Sequence, residues 1–89
     1  MQKEYTHHHD KAHGWLEVPV SDCFEIGLEP ADFSAFSYRD GDTLYLEEDC
    51  DMPKFMTTCI VKTHALPVIG FNRADNTTIR NMEGVKNVY

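Results

Sequence analysis

Histidine side chains are concentrated near the start of the chain, where their spacing could support metal binding. Residues 7–9 are three consecutive histidines, and His13 follows His9 by four positions. Imidazole and carboxylate groups bind zinc and nickel, and an i, i+4 histidine pair can place two ligands on one helical face. Because no apolar period accompanies these residues, no helix is predicted to hold them. We expect a flexible arm, with a metal site of His9, His13, Asp49 and Asp51 as the weaker alternative.

A second group of chemically active side chains is a run of carboxylates in the middle of the chain. The run comprises Glu47, Glu48, Asp49 and Asp51. Such oxygens can bind magnesium or calcium, but the run lacks the Asp-x-Asp-x-Asp-Gly spacing of an EF-hand loop. It precedes a segment with helical periodicity, where negative charge interacts favourably with the positive end of the helix dipole. We therefore interpret Asp49 as dipole compensation and Asp51 as the helix cap.

Aromatic residues recur in segments that have the alternation of strands. Flat rings exposed on a sheet can stack a base or anchor a protein partner. The same rings would be ordinary core if a second layer or subunit covered them. Carboxylates and one arginine lie beside these rings in the predicted strands. The predicted ligand- or partner-binding residues are Trp15, Glu17, Phe36, Tyr38, Arg39, Tyr45 and Glu47.

No common catalytic signature occurs in the chain. It has no glycine-rich phosphate loop, no serine-hydrolase signature and no Cys-His zinc pattern. Cys23, Cys50 and Cys59 show no C-x-x-C spacing, and an odd number of cysteines favours free thiols in a reducing compartment. No histidine is placed by sequence as a base for any of them. We expect a protein that is not an enzyme and has no cofactor.

Periodicity places the elements that must position these side chains. Leu16, Val18 and Val20 alternate with other residues as in a half-buried strand, and a short helix is predicted from Ser21 to the stop at Gly27. The pair Asp40-Gly41 lies between two alternating runs and predicts a hairpin over 34–48. With these two residues as its loop, the paired residues would be Tyr38 and Thr43, Ser37 and Leu44, Phe36 and Tyr45, and Ala35 and Leu46. An apolar stripe predicts a helix that starts at Asp51 and ends before 64–67; a last strand is predicted over 68–71 and a loop over 73–78.

The predicted order of elements is strand, helix, strand, strand, helix, strand. This order is that of the split βαβ, ferredoxin-like arrangement. We expect an α+β fold in which two helices cover one face of a small antiparallel sheet. Leu44 and Leu46 are predicted to face the helices, and the aromatic residues the open side. The predicted domain organisation is a flexible His-rich arm over 1–12 and one α+β domain over 13–89.

Charge and length limit the classes of partner. The chain has 89 residues and a formal net charge of −7. This charge repels phosphate backbones, so we expect no direct nucleic-acid binding. No apolar run is long enough to span a membrane, so we expect a cytoplasmic protein without a membrane partner. A chain this short buries limited surface, and a homodimer would add to its stability.

Three segments carry a resemblance to a known group of proteins. They are His13-Gly14-Trp15-Leu16-Glu17-Val18-Pro19, Phe36-Ser37-Tyr38 and Tyr45-Leu46-Glu47-Glu48-Asp49-Cys50-Asp51. Over residues 13–56 the chain resembles short, uncharacterised proteins of tailed bacteriophages and bacterial mobile elements; the end at Ile79-Arg80 is only faintly similar. The resemblance implies a phage or prophage origin and no particular chemistry. It favours roles in host takeover or anti-defence.

Three functional hypotheses follow. The leading one is a non-enzymatic binding module, a phage accessory protein that binds a host protein or sequesters a small ligand through the aromatic face. The second is a metal-dependent hydrolase built from His13, Asp49 and Asp51. The third is an acidic mimic of nucleic acid, in which the carboxylate run occupies the basic groove of a host enzyme.

Overall fold

Strand alternation and helical periodicity together produce a mixed sheet with helices packed against it. The computed structural model describes residues 1–73, 79, 83 and 84. Its elements in chain order are β1 (Glu4–His9), β2 (Gly14–Pro19), α1 (Val20–Glu25), a 3-10 turn (Pro30–Asp32), β3 (Tyr38–Asp40), β4 (Thr43–Glu47), α2 (Asp51–Thr63), β5 (Val68–Arg73) and β6 (Glu83–Gly84). The strands lie in the order β5-β1-β2-β4-β3-β6. Only β1 and β5 pair in parallel among these neighbours.

The prediction of a flexible arm over residues 1–12 is wrong for the residues of β1. This strand lies inside the sheet, antiparallel to β2 and parallel to β5. Its inward positions are Tyr5, His7 and His9, so only one of them is apolar. Hydrophobic alternation is therefore too weak in this segment to reveal a strand. The turn into β2 is held by Asp10, whose Oδ1 accepts hydrogen bonds from the backbone N–H groups of Ala12 and His13, both at 2.8 Å.

The insertion of β1 also corrects the predicted topology. The fold is α+β as expected, but the ferredoxin-like antiparallel sheet is wrong in strand order and count. Without β1 and β6, the remaining strands would follow the order β5-β2-β4-β3. Strand β1 separates β5 from β2, and its direction makes the contact with β5 parallel. The predicted loop over 73–78 lies outside the described residues from residue 74 onward.

Tyr5 connects the sheet to both helices. Its ring packs edge-to-face on Phe55 of α2, with centroids 5.3 Å apart. Its hydroxyl donates a 2.6 Å hydrogen bond to Oδ2 of Asp22 in α1. Burial, together with this carboxylate, raises the pKa of Tyr5. Since both helices contact one side chain of β1, they cover the same face of the sheet, where Leu44 and Leu46 are also buried.

The predicted hairpin forms, but its register differs from the prediction. The structure pairs Tyr38 with Tyr45 and Asp40 with Thr43. The loop is therefore Gly41-Asp42, and Gly41 adopts a φ of +57°, which glycine tolerates at no steric cost. The predicted pairs of Phe36 with Tyr45 and of Tyr38 with Thr43 are wrong. A shift of two residues preserves the alternation, so Tyr38 and Tyr45 keep the predicted open face and Leu44 keeps the predicted helix-covered face.

Helix α2 starts and ends where the apolar stripe predicts. It spans Asp51–Thr63 and buries Phe55 and Cys59, and His64 follows it in the left-handed conformation with a φ of +60°. The last predicted strand is present as β5 and extends to Arg73. Within the described part of the chain, no helix has the length and apolarity needed to cross a membrane.

A core substitution in β1 tests whether the segment is structural. Replacement of Tyr5 by Ala should lower the free energy of unfolding by about 3–5 kcal/mol, because it removes a buried ring and leaves Asp22 without its hydroxyl donor. Thr6→Ala, at the adjacent exposed position, is the matched control and should cost less than about 1 kcal/mol. Urea denaturation followed by circular dichroism measures both. Equal stabilities of the two variants would mean that β1 is not part of the folded core.

Candidate functional site

The sheet face opposite the helices brings together most of the predicted binding residues. Trp15 pairs with Glu47, and Glu17 pairs with Tyr45, which in turn pairs with Tyr38. Paired residues of neighbouring strands share a face. These five side chains therefore lie together on the face away from Leu44 and Leu46, as the sequence predicts.

Two predicted binding residues lie elsewhere. Arg39 pairs with Leu44 and so belongs to the helix-covered side of the sheet, and its Nε donates a 2.7 Å hydrogen bond to the carbonyl of Gly41. Phe36 precedes β3 in a loop, so it is not part of the strand face. Phe36 nevertheless lines the same pocket as Trp15.

A concave pocket forms where this loop meets the open face. Its volume is about 440 Å³. Four of the seven predicted binding residues line it, and Glu17, Tyr45 and Arg39 do not. The lining residues are His13, Trp15, Ala35, Phe36, Tyr38, Glu47, Asp49 and Cys50.

Aromatic rings form the floor and the rim of the pocket. Trp15 is 3% exposed and lies at the bottom, with its ring 6.1 Å from that of Tyr38 at an interplanar angle of 64°. His13 lies on the other side of Trp15, 5.9 Å away between ring centroids. Phe36 is 66% exposed and projects from the rim. A large apolar ring that is exposed to solvent beside a concave surface can be a contact site for a ligand or partner.

The buried carboxylate of Asp51 holds the rim in place. It accepts hydrogen bonds from the backbone N–H of Ser34 at 3.0 and 2.9 Å and from the Ser34 hydroxyl at 2.7 Å. The hydroxyl of Ser37 also donates to it and accepts a 2.9 Å hydrogen bond from the backbone N–H of Glu47. The predicted role of Asp51 as a helix cap is thus wrong, because its oxygens bind the loop that carries Phe36.

Glu47 supplies a carboxylate from the floor of the pocket. It is 8% exposed, and its Oε2 accepts hydrogen bonds from the backbone N–H groups of Asp49 and Cys50 at 3.1 and 2.9 Å. Asp49 also lines the pocket, and no lysine or arginine is among the described residues that line it, so these residues give the pocket negative charge.

The negative charge of the pocket affects the pKa of the Cys50 thiol. Desolvation raises the pKa of Cys50, and the neighbouring carboxylates of Glu47, Asp51 and Asp49 raise it further. A thiol with a raised pKa contains little thiolate at neutral pH and is a poor nucleophile. The sequence-based interpretation of Cys50 as a non-catalytic thiol agrees with this environment, although its side chain is exposed.

A polar row that sequence reasoning missed crosses the same face beside the pocket. His8 contacts Oε1 of Glu17 through Nε2 at 2.8 Å and the side-chain amide nitrogen of Asn72 through Nδ1 at 3.0 Å. With Asn72 as the donor, Nδ1 accepts and Nε2–H donates to Glu17. The His8 ring lies 6.1 Å from that of Tyr45. The only signal for these contacts in the sequence is the position of His8 in the alternating pattern of β1. That signal can be used only after β1 has been recognised as a strand.

The weak alternative of a metal site is not assembled by the fold. His9 lines a separate pocket of about 300 Å³, and His13 lines both that pocket and the aromatic pocket, which Asp49 also lines. Asp51 is buried in the loop network. Among the residues that the structure describes, no group of three or more His, Cys, Asp or Glu side chains could hold a metal ion. The proposed ligands therefore do not converge.

His7 forms a structural contact beneath this second pocket. Its Nε2 lies 3.1 Å from Oε2 of Glu48, and its ring lies 5.3 Å from that of Phe71. A Cβ atom at position 14 would overlap with both His7 and Glu48. Gly14 is therefore required for the side chain of His7 to reach its carboxylate partner.

The role of Asp51 can be tested with its neighbour as control. Asp51→Ala should lower the free energy of unfolding by about 2–4 kcal/mol, because it leaves buried donors of Ser34 and Ser37 unpaired. Asp49→Ala removes a carboxylate of the same run and should change stability by less than about 0.5 kcal/mol. Chemical denaturation measures both values. Similar losses would contradict the assignment of Asp51 as the residue that holds the loop.

The negative environment of the pocket can be tested by alkylation of Cys50. Its raised pKa means that the thiolate forms at higher pH than in a free cysteine, so the rate of reaction with iodoacetamide should rise with a midpoint above that of a cysteine peptide. Asp49→Asn should lower this midpoint. Mass spectrometry of peptides distinguishes Cys50 from the buried Cys23 and Cys59. A midpoint at or below that of the peptide would show that the carboxylates do not act on the thiol.

Comparisons with protein-family models, with curated proteins and with solved structures find no match to this chain.

Proposed function

We propose that this protein is a non-enzymatic binding module that engages another protein through the pocket lined by Trp15, Phe36, Tyr38 and Glu47. The observation that carries the proposal is the position of Phe36, an exposed ring on the loop bound by Asp51, in the same pocket as the buried ring of Trp15. Rigid aromatic anchors around a concave centre are typical of the residues that dominate protein–protein affinity.

A protein partner suits this pocket better than a sequestered small molecule. Sites that bind small ligands enclose most of the ligand surface. Here the ring of Phe36 is 66% exposed at the rim, where it can insert into a complementary surface of a partner. From the resemblance to phage proteins we further propose that the partner is a host protein in the cytoplasm, and that binding serves host takeover or anti-defence.

The geometry favours neither of the rival hypotheses. A metal-dependent hydrolase requires His13, Asp49 and Asp51 to converge, whereas the carboxylate of Asp51 is bound by the loop and the described residues contain no group of three or more side chains that could hold a metal ion. Nucleic-acid mimicry requires an exposed series of carboxylates. Asp51 is buried and Glu47 nearly so, which leaves Glu48 and Asp49 as the accessible members of the run.

Site-specific crosslinking tests the proposed function. A photoreactive phenylalanine analogue at position 36 should form an adduct with one defined host protein in bacterial cells, and Tyr38→Ala should remove that adduct. The same analogue at Phe24, which is also exposed but lies in α1, is the matched control and should not form it. Calorimetry with the purified partner should then show that Phe36→Ala weakens binding by at least about tenfold and that Phe24→Ala does not.

Two outcomes would contradict the proposal. An adduct that forms equally from positions 24 and 36 would place the contact outside the pocket. An adduct between two copies of this chain at position 36 would mean that the face is a homodimer interface, which is the alternative that the short chain allows.

A further inference from the structure

We propose that the pocket accepts the guanidinium group of an arginine side chain from the partner protein. This inference rests on the proposed function and specifies the chemistry of the same site. It derives from the combination of aromatic faces and carboxylates in one concave surface of about 440 Å³.

The charge of the pocket selects a cation. Among the described residues that line the pocket, Glu47 and Asp49 carry carboxylates and none is a lysine or an arginine. Oε2 of Glu47 accepts hydrogen bonds from two backbone N–H groups, and the side chain is 8% exposed. A nearly buried carboxylate gains most from a charged donor, because water compensates its charge poorly. The chain as a whole is also acidic, with a formal charge of −7.

The aromatic side chains select a planar cation over a compact one. Trp15 and Tyr38 meet at 64°, so their faces are inclined to each other at the floor, and Phe36 stands at the rim. A guanidinium group can stack on such rings and direct its N–H groups to a carboxylate at the same time. The ammonium group of lysine is more strongly hydrated and lacks a stacking plane. Arginine therefore fits both parts of the lining.

The carboxylate and the rim are held in position before binding. The Ser37 hydroxyl joins the backbone of Glu47 to the buried carboxylate of Asp51, and the same carboxylate fixes Ser34. Phe36 is tied to this network by a 3.2 Å hydrogen bond from its backbone N–H to the Ser34 hydroxyl. Because the loop is already ordered, little conformational entropy is lost when a side chain enters the pocket.

The fluorescence of Trp15 provides the measurement, since it is the only tryptophan in the chain. The probes are three blocked tripeptides, Ac-Gly-Arg-Gly-NH2, its lysine analogue and its citrulline analogue, which is close to arginine in shape but uncharged. The arginine peptide should change the emission in a saturable way and should bind about tenfold more tightly than the citrulline peptide. The lysine peptide should bind more weakly than the arginine peptide.

Charge-neutral variants locate the interaction. Glu47→Gln should weaken binding of the arginine peptide by about tenfold, because it removes the charge and keeps an oxygen that can accept the backbone hydrogen bonds. Glu4→Gln makes the same change of charge at an exposed position in β1 and should leave the affinity within about twofold. Circular dichroism confirms that both variants are folded.

The outcomes separate this inference from the proposed function. Equal binding of arginine and citrulline peptides, or an affinity unchanged by Glu47→Gln, would overturn cation recognition. Equal binding of the lysine peptide would overturn the choice of guanidinium. Neither result would affect the crosslinking experiment at position 36, which tests protein binding separately. If that crosslink fails, the peptide titration still shows whether the pocket binds a cation.

Discussion

The buried carboxylate of Asp51 is the interaction on which the candidate site depends. It lies at the first residue of α2 and accepts hydrogen bonds from Ser34 and Ser37 in the loop before β3. Ser37 in turn receives the backbone N–H of Glu47 at the end of β4. One side chain thus joins a helix start, a loop and a strand end. The desolvation cost of such a buried charge is offset only when its hydrogen bonds are complete, so the loop has little freedom to move away.

The start of α2 also explains how a small domain tolerates several carboxylates close together. Glu47, Asp49 and Asp51 lie at or just before the first turn of a 13-residue helix, whose N-terminal end carries partial positive charge. The backbone N–H groups of Asp49 and Cys50 point to Glu47. Acidic charge can therefore be concentrated beside aromatic rings, although the described residues of the pocket include no lysine or arginine. The result is a pocket with an apolar floor and a negative side.

Strand β1 gives the sheet two chemically different surfaces. Tyr5 points to the helices and contacts Phe55 and Asp22, whereas His8 points to the open face and contacts Glu17. The strand thus supplies core packing on one side and a polar row next to the pocket on the other. Its parallel contact with β5 links the first and last long strands of the sheet.

Local pattern alone determined several features of this protein. The apolar stripe over 51–63 predicts α2, and the alternation in the hairpin predicts that Tyr38, Tyr45 and Glu47 share a face opposite Leu44. These predictions are confirmed, because helical spacing and strand parity depend on neighbouring residues and survive a register shift of two.

Tertiary structure alone decided the rest. Strand β1 could not be recognised because two of its three inward positions are histidines, which find their partners only after the sheet has formed. Arg39 is predicted to bind together with the aromatic face, but it pairs with Leu44 and so lies on the opposite face of the sheet. Asp51 has the sequence position of a helix cap, yet its oxygens bind a loop 14 to 17 residues earlier. Which donors reach a buried carboxylate is set by proximity in space, and no local pattern in the chain encodes it.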